Sequence, residues 1–114
     1  MSKAEYPFAL GIQTLLPQDS SGEPFRQRLA LLQELGFTGI ELNIVRPEEV
    51  APADLRSLLN SYGLRMTMFA SGATAKAEGL SLSHEDDAVR ARSVRRAIDF
   101  VEYAAEFVAG VIVG

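Results

Sequence analysis

Three segments of the chain repeat one pattern, in which an amphipathic helix ends at a glycine and a short strand-like run follows. The three junctions read Leu-Gly-Phe-Thr-Gly-Ile-Glu-Leu, Tyr-Gly-Leu-Arg-Met-Thr-Met and Ala-Gly-Val-Ile-Val. Parallel neighbouring strands require a long crossover connection, which is usually a helix. The repeat therefore predicts an α/β fold, with a parallel sheet covered by helices.

The spacing of apolar residues predicts about four parallel strands and three helices. We expect strands over residues 8–14, 38–45, 65–70 and 111–113, and helices beginning near Pro24, Pro52 and Glu85. A proline suits the first turn of a helix, because its missing N–H has no partner there anyway. Gly36 and Gly63 supply the left-handed residue that ends each of the first two helices, and Phe37 makes the apolar contact after Gly36.

Two expectations concern the stretch between residues 71 and 109. Residues 71–83 form a connection that is longer than ordinary βα loops, and such loops often carry function. The longest helix, about residues 85–109, places apolar residues on one stripe at helical spacing. The members of this stripe are Val94, Ile98, Val101, Ala105 and Val108.

The strand over residues 38–45 has one polar side, because Glu41 and Asn43 alternate with Ile40, Leu42 and Ile44. Strands covered on both faces usually read as continuous apolar runs. Burying an unpaired carboxylate beneath a helix is costly, whereas the mouth of a closed barrel offers water and hydrogen-bond partners. We therefore favour a barrel interior for this side, and rank an open flavodoxin-like sheet lowest.

Length and charge narrow the class of protein. The 114 residues fit one domain over residues 1–114 without an internal boundary, since no linker or low-complexity tract interrupts them. The formal charge of −4 argues against nucleic acid and anionic lipid as partners. The apolar stretch near the amino terminus lacks a basic leader, so we expect no signal peptide or membrane span. Without cysteine, the chain suits a reducing compartment, and we expect a cytoplasmic protein.

Four arginines cluster in the longest predicted helix, together with acidic residues. Spacing of four residues favours ion pairs between Asp86 and Arg90 and between Arg95 and Asp99. We interpret this cluster as a solvated, salt-bridged face, in preference to a phosphate-binding patch.

Several phrases of the chain resemble the xylose isomerase-like barrel superfamily, and more narrowly its sugar phosphate isomerase/epimerase group. They are Gly36-Phe-Thr-Gly-Ile-Glu-Leu42, Phe69-Ala-Ser-Gly-Ala, Gly79-Leu-Ser-Leu-Ser-His84 and Ala109-Gly-Val-Ile-Val-Gly114. An eight-unit barrel takes about 250 residues, so this chain corresponds to between three and four units. The resemblance implies a partial (β/α)8 TIM barrel, present as the amino-terminal half.

The resemblance also implies a reaction, in which a proton moves beside the carbonyl of a ketose or keto-acid sugar. In such enzymes a divalent ion, manganese or magnesium, holds sugar or sugar-phosphate oxygens while two carboxylates exchange the proton. In this superfamily the ligands of the divalent ion come mainly from strands five to eight of the barrel. We therefore expect neither a catalytic residue nor a metal or other cofactor in this chain. We also expect no turnover by the chain alone. The alternative is a non-catalytic half-barrel, which pairs through exposed strand edges as a homodimer or with a separately encoded second half.

Six residues are candidates for a substrate pocket: Gln13, Glu41, Asn43, Ser71, Gly72 and His84. Gln13, Glu41 and Asn43 lie on the polar side near the carboxyl ends of their strands, although each could instead serve an ordinary structural hydrogen bond. The serine and glycine follow the third strand, where small residues let the backbone approach a sugar or simply form a turn. For His84, the sole histidine, anchoring of the loop before the helix is favoured over contact with substrate.

The chain has no Gly-x-Gly-x-x-Gly phosphate loop, nucleophile elbow or His-Glu-x-x-His motif. The enzyme classes that depend on these three motifs are therefore excluded. Met66, Met68 and Phe69 are expected in the core, where methionine fills irregular gaps.

Overall fold

Strands and helices alternate along residues 7–113, which are the part of the chain described by the computed structural model. In chain order the elements are β1 (Gly11–Leu15), α1 (Glu23–Glu34), β2 (Gly39–Asn43), a 3₁₀ turn (Pro47–Glu49), α2 (Pro52–Ser61), β3 (Arg65–Ala70), α3 (Gly72–Glu78), α4 (Asp87–Ala105) and β4 (Gly110–Ile112). The predicted α/β fold is confirmed.

The four strands form one parallel sheet in the order β1-β2-β3-β4. Consecutive strands are therefore neighbours, as in the wall of a barrel, and every connection crosses over through at least one helix. β1 and β4 lie at the two edges of this sheet.

One face of the sheet carries the helices and the hydrophobic core. Ile40, Leu42 and Ile44 alternate along and just beyond β2, and each is almost completely buried. They pack with apolar side chains of three helices, which are Phe25, Leu29 and Leu32 of α1, Leu55 and Leu59 of α2, and Phe100 and Ala104 of α4. Since side chains alternate along a strand, Glu41 and Asn43 point to the opposite side, which we call the open face.

A β-bulge keeps the core in register between β2 and β3. Ile40 pairs with Met66, but the next residue, Glu41, pairs with Met68, so Thr67 is an extra residue on β3. As a result Met66 and Phe69 are both buried on the helical face, although three positions separate them. Met68 lies on the open face and is half-buried, so its expected place in the core is only partly right.

The predicted helix boundaries hold where glycine and proline set them. Pro24 and Pro52 lie in the first turns of α1 and α2. Gly36 and Gly63 follow the carboxyl ends of these helices with φ of 91° and 67°, a region that favours glycine. Phe37 is half-buried against the core, as expected.

The connection over residues 71–83 is not a plain loop, because it contains α3. Alanine has the highest helix propensity, and the run Gly-Ala-Thr-Ala-Lys-Ala-Glu uses it three times. The buried Thr74 hydroxyl donates a hydrogen bond to the Ile44 carbonyl (2.5 Å), which fastens α3 to the end of β2. Gly79 ends the helix with φ of 66°. The described chain thus has four α-helices where the sequence predicted three.

The apolar stripe predicted on the longest helix is not the side that faces the core. Val94, Ile98 and Val101 are 51%, 53% and 56% exposed, and Val108 lies beyond the end of α4. The buried side is formed instead by Ser93, Phe100 and Ala104, followed by Phe107. The physical reason is aromatic packing: the Phe100 ring stacks on Phe69 at 5.3 Å, which buries more area than a valine can.

The ion pairs expected on this helix also differ. The Asp86 carboxylate accepts hydrogen bonds from the amides of Ala88 and Val89, so it caps α4 and does not pair with Arg90. Arg90 pairs with Asp87. Asp99 pairs with Arg96, three residues before it, and not with Arg95.

Candidate functional site

The open face presents two layers of side chains at the carboxyl-terminal half of the sheet. The deeper layer joins Gln13, Glu41 and Met68, which occupy matching positions on neighbouring strands. The outer layer joins Leu15, Asn43, Ala70 and Ile112. In parallel α/β sheets, ligands bind outside the carboxyl ends of the strands, so these layers define the candidate site.

Asn43 connects β2 to α3 at the outer layer. Its Oδ1 accepts a hydrogen bond from the Ala73 amide at 2.9 Å. A Cβ at Gly72 would lie 4.0 Å from the Asn43 amide nitrogen, which is ordinary van der Waals contact, so Gly72 borders Asn43 without being required there by space. In the described part of the chain that amide nitrogen makes no hydrogen bond, and its two N–H groups are therefore free for an acceptor such as a sugar hydroxyl.

Glu41 and Gln13 are side by side one layer deeper, since they are register partners on adjacent strands. The Glu41 side chain is half-buried, whereas Gln13 on the edge strand is exposed. A carboxylate accepts hydrogen bonds and an amide both donates and accepts, so the pair can bind a polyhydroxylated ligand. Met68 borders them and lies against Gly110, where a side chain would come within 2.7 Å of its sulfur.

Ser71 faces the backbone of β4 and not the open face. Its Oγ and its amide both donate to the Ile112 carbonyl, at 2.9 and 3.0 Å, and the residue is almost fully buried. These two bonds hold the end of β3 to β4. Ser71 thus stabilises the sheet next to the candidate site, and Gly72 borders the site.

His84 makes its hydrogen bonds with residues at the start of α4. Its ring is exposed, and Nδ1 accepts a hydrogen bond from the Asp86 amide at 2.9 Å. The His84 carbonyl accepts from Arg90 Nη1 at 2.6 Å. These contacts order the chain just before α4.

Arg96 joins three elements of the fold, and the sequence predicted it only as part of a solvated, salt-bridged face. Its side chain is only 17% exposed and pairs with Glu48 of the 3₁₀ turn (2.7 Å), with Glu78 of α3 (2.9 Å) and with Asp99 (3.3 Å). The guanidinium also lies 5.4 Å from the centre of the Phe100 ring. Glu48 and Glu78 are far from Arg96 in sequence, so no helical spacing could indicate these pairs.

The pKa values of Glu48 and Arg96 follow from the same contacts. The hydrogen bond from Arg96 holds the pKa of Glu48 below its usual range. Burial by itself lowers the pKa of Arg96, but the hydrogen bonds to Glu78 and Glu48 outweigh it and raise the pKa. Arg96 therefore stays charged and is occupied in joining elements.

A cleft of about 440 Å³ opens beside Leu15, between the connections that follow β1 and β2. Its walls include Pro17, Gln18, Arg46 and Glu49, and the last two form an exposed ion pair at 3.5 Å. No sequence pattern predicts this cleft, because its walls come from two loops of mixed composition.

The donor side chains of the described residues limit which metal ions the site can hold. Within residues 7–113 there is no group of three or more histidine, cysteine, aspartate or glutamate side chains placed to hold a metal ion. A divalent cation of the kind implied by the resemblance therefore does not fit the residues described. Among the same residues, no helix has the length and apolar character needed to cross a membrane.

Comparison with known protein families relates the chain to one of them. A family model described as "Xylose isomerase-like TIM barrel" matches residues 29–114, which is more than half of the chain. No curated protein sequence matches the chain. The matched region runs from within α1 to the end of the chain and contains Glu41, Asn43, Ser71, Gly72 and His84.

Proposed function

The chain belongs to the xylose isomerase-like TIM barrel family, and from this premise we propose that it is the amino-terminal half of a sugar isomerase or epimerase barrel. The complete barrel would move a proton beside the carbonyl of a ketose or keto-acid sugar. In this proposal the present chain contributes a wall of the substrate pocket, and the residues for proton transfer come from elsewhere.

The observation that carries the proposal is the open face of the sheet. Glu41 and Asn43 lie on the side opposite to the helices, near the carboxyl ends of parallel strands. Asn43 offers two N–H donors, and Glu41 and Gln13 offer acceptors one layer deeper. This combination suits the hydroxyl groups of a sugar, which both donate and accept hydrogen bonds.

A divalent cation, manganese or magnesium, is implied for a complete relative but does not fit the donors described here. We therefore assign no catalytic step to any residue of this chain. The roles left to it are binding and orientation of the sugar, and exclusion of water from one wall of the pocket.

The proposal predicts weak sugar binding without turnover. We expect the purified chain with manganese to convert no ketohexose, and fructose to shift the amide resonances of residues near Asn43 in a ¹⁵N titration. Asn43→Asp keeps the oxygen that accepts from Ala73 but removes the free N–H donors, so it should reduce the shifts about tenfold or more at the same sugar concentration.

A control variant and two contrary outcomes make this experiment decisive. Asn60→Ala changes an exposed asparagine of α2, outside the candidate site, and should leave the shifts unchanged. Turnover by the isolated chain would refute the inactive half-barrel, and equal shifts for Asn43→Asp and the parent would refute the assignment of the pocket.

A non-catalytic module is the second candidate, and the edges of the sheet favour it. On one side of β1 and of β4, no other described strand pairs with the backbone. The side chains of Leu15 in β1 and Ile112 in β4 are about half exposed. In this alternative the edges pair with a second copy or with a separately encoded second half. Absent sugar binding together with strong protection of the β1 and β4 amides from hydrogen exchange would favour the module.

A further inference from the structure

The exposed stripe of α4 has the spacing of an interhelical seam. Val94, Ile98, Val101 and Ala105 follow one another at intervals of four, three and four residues, and all four are exposed. This is the repeat by which two helices pack side by side. The stripe therefore meets the geometric requirement for a helix partner, and the helices described do not cover it.

The other flank of α4 is already occupied. Tyr103 donates to the Val50 carbonyl at 2.9 Å, and Arg56 of α2 donates to the Glu106 carbonyl at 2.7 Å. Arg96 binds Glu48 and Glu78 on the same flank. The seam thus lies on the side turned away from α2, where a second helix can approach without displacing any contact named here.

Charge along the seam selects the partner and its direction. Arg95 and Glu102 lie two turns apart on the same border of the stripe, and within residues 7–113 neither forms an ion pair. The amino-terminal half of α4 is rich in arginine, and acidic residues follow toward its carboxyl end. An antiparallel copy of the same helix would place opposite charges face to face and would also oppose the two helix dipoles.

We propose that two copies of this chain associate through antiparallel α4 helices, about a two-fold axis near Ile98. Arg95 of each copy pairs with Glu102 of the other, so the contact is self-complementary and contains each pair twice. This interface is distinct from pairing through strand edges, because it leaves β1 and β4 free.

Sedimentation velocity of the whole chain over a concentration series tests the proposal. The parent chain should form a reversible dimer. Arg95→Glu should place like charges together at both symmetric positions and raise the dimer Kd about tenfold, and Glu102→Arg should do the same. An equimolar mixture of the two variants restores both attractive pairs, so it should regain dimer of parental strength.

The matched control is Arg92→Glu, which has the same net charge as Arg95→Glu and lies on α4 outside the seam; its Kd should stay parental. Far-UV circular dichroism checks the fold, and if one single variant loses helix, the double variant Arg95→Glu/Glu102→Arg makes the same comparison with the remaining one. A monomeric parent, or single reversals that match the control, or a mixture that fails to regain the dimer, each overturns the proposal.

Discussion

Tyr103 shows how one hydroxyl can join two elements of this fold. The phenol of this α4 residue donates to the Val50 carbonyl at 2.9 Å, just before α2 begins. Its ring contacts Phe69 and Phe107, with centroids 5.5 Å apart in each pair. Burial raises the pKa of Tyr103 to about 12. The folded state therefore holds the neutral phenol more tightly than the unfolded state does.

This shift predicts alkaline destabilisation with a defined sign. The contribution of Tyr103 is fully present below its unfolded pKa of about 10, and it is lost as the pH rises from there toward 12. Tyr103→Phe should cost about 1 kcal/mol at neutral pH, because the Val50 carbonyl loses its donor. Urea unfolding from neutral pH to about pH 11 should show the difference between the two proteins shrinking above pH 10.

A difference between Tyr103→Phe and the parent that stayed constant up to the highest pH would contradict this assignment. Tyr62→Phe is the matched control, since it removes a phenol from the end of α2 by the same chemical change.

Residue-level prediction from sequence succeeded where the backbone itself decides. Gly36 and Gly63 mark helix ends because few other residues adopt positive φ at low cost. It failed where a side chain finds distant partners: Arg96 belonged to the expected solvated face, yet it binds Glu48 and Glu78 in the folded chain. Alternation along β2 placed Glu41 and Asn43 on one face, but no local pattern indicated that Asn43 would bind the Ala73 amide.

At the level of elements, α4 is the instructive case, because it carries two apolar stripes. One contains Phe100 and Ala104 and faces the sheet, and the other contains Ile98 and is exposed. Helical periodicity detects both and cannot say which is buried. The choice depends on Phe69 of β3, whose ring receives Phe100.

This choice predicts unequal costs for two truncations on the same helix. Phe100→Ala should lower the free energy of unfolding by about 3–5 kcal/mol, since it empties a buried aromatic site. Ile98→Ala should cost less than about 1 kcal/mol, because its side chain is already half exposed. Urea unfolding at low protein concentration, where self-association contributes little, measures both. Equal costs would contradict the orientation of α4.

The connection after β3 shows a second limit of sequence reasoning about elements. Small residues after a strand suit a loop, but alanines also favour a helix, and α3 forms because Thr74 fastens it to Ile44. That tertiary contact decides between two local preferences of similar strength.

For the whole molecule, the main fact is a sheet with one apolar, covered face and one open face. Central β2 and β3 contribute nearly all of the buried strand residues, whereas the edge strands remain largely exposed. Parallel order and repeating crossovers were predictable from three copies of one local phrase. Contacts at the carboxyl ends of the strands were not, since they join loops that have no common pattern.

Hydrogen exchange should follow this division. Amides of β2 and β3 should be the slowest to exchange, and those of β1 and β4 should exchange at least about tenfold faster. NMR-detected exchange on the full chain measures this gradient. Strong protection of β1 and β4 would mean that the edges are paired, which would favour the edge-paired module over association through α4.

The bulge at Thr67 gives β3 one spare residue. A strand that is one residue shorter at this point would still send Met66 and Phe69 inward, because the pairing with β2 would simply become regular. β2 has no bulge of this kind, so loss of a residue from its middle would move the side chains beyond that point to the opposite face of the sheet. The number of residues in β3 can therefore vary by one at Thr67 without changing which side chains face the solvent.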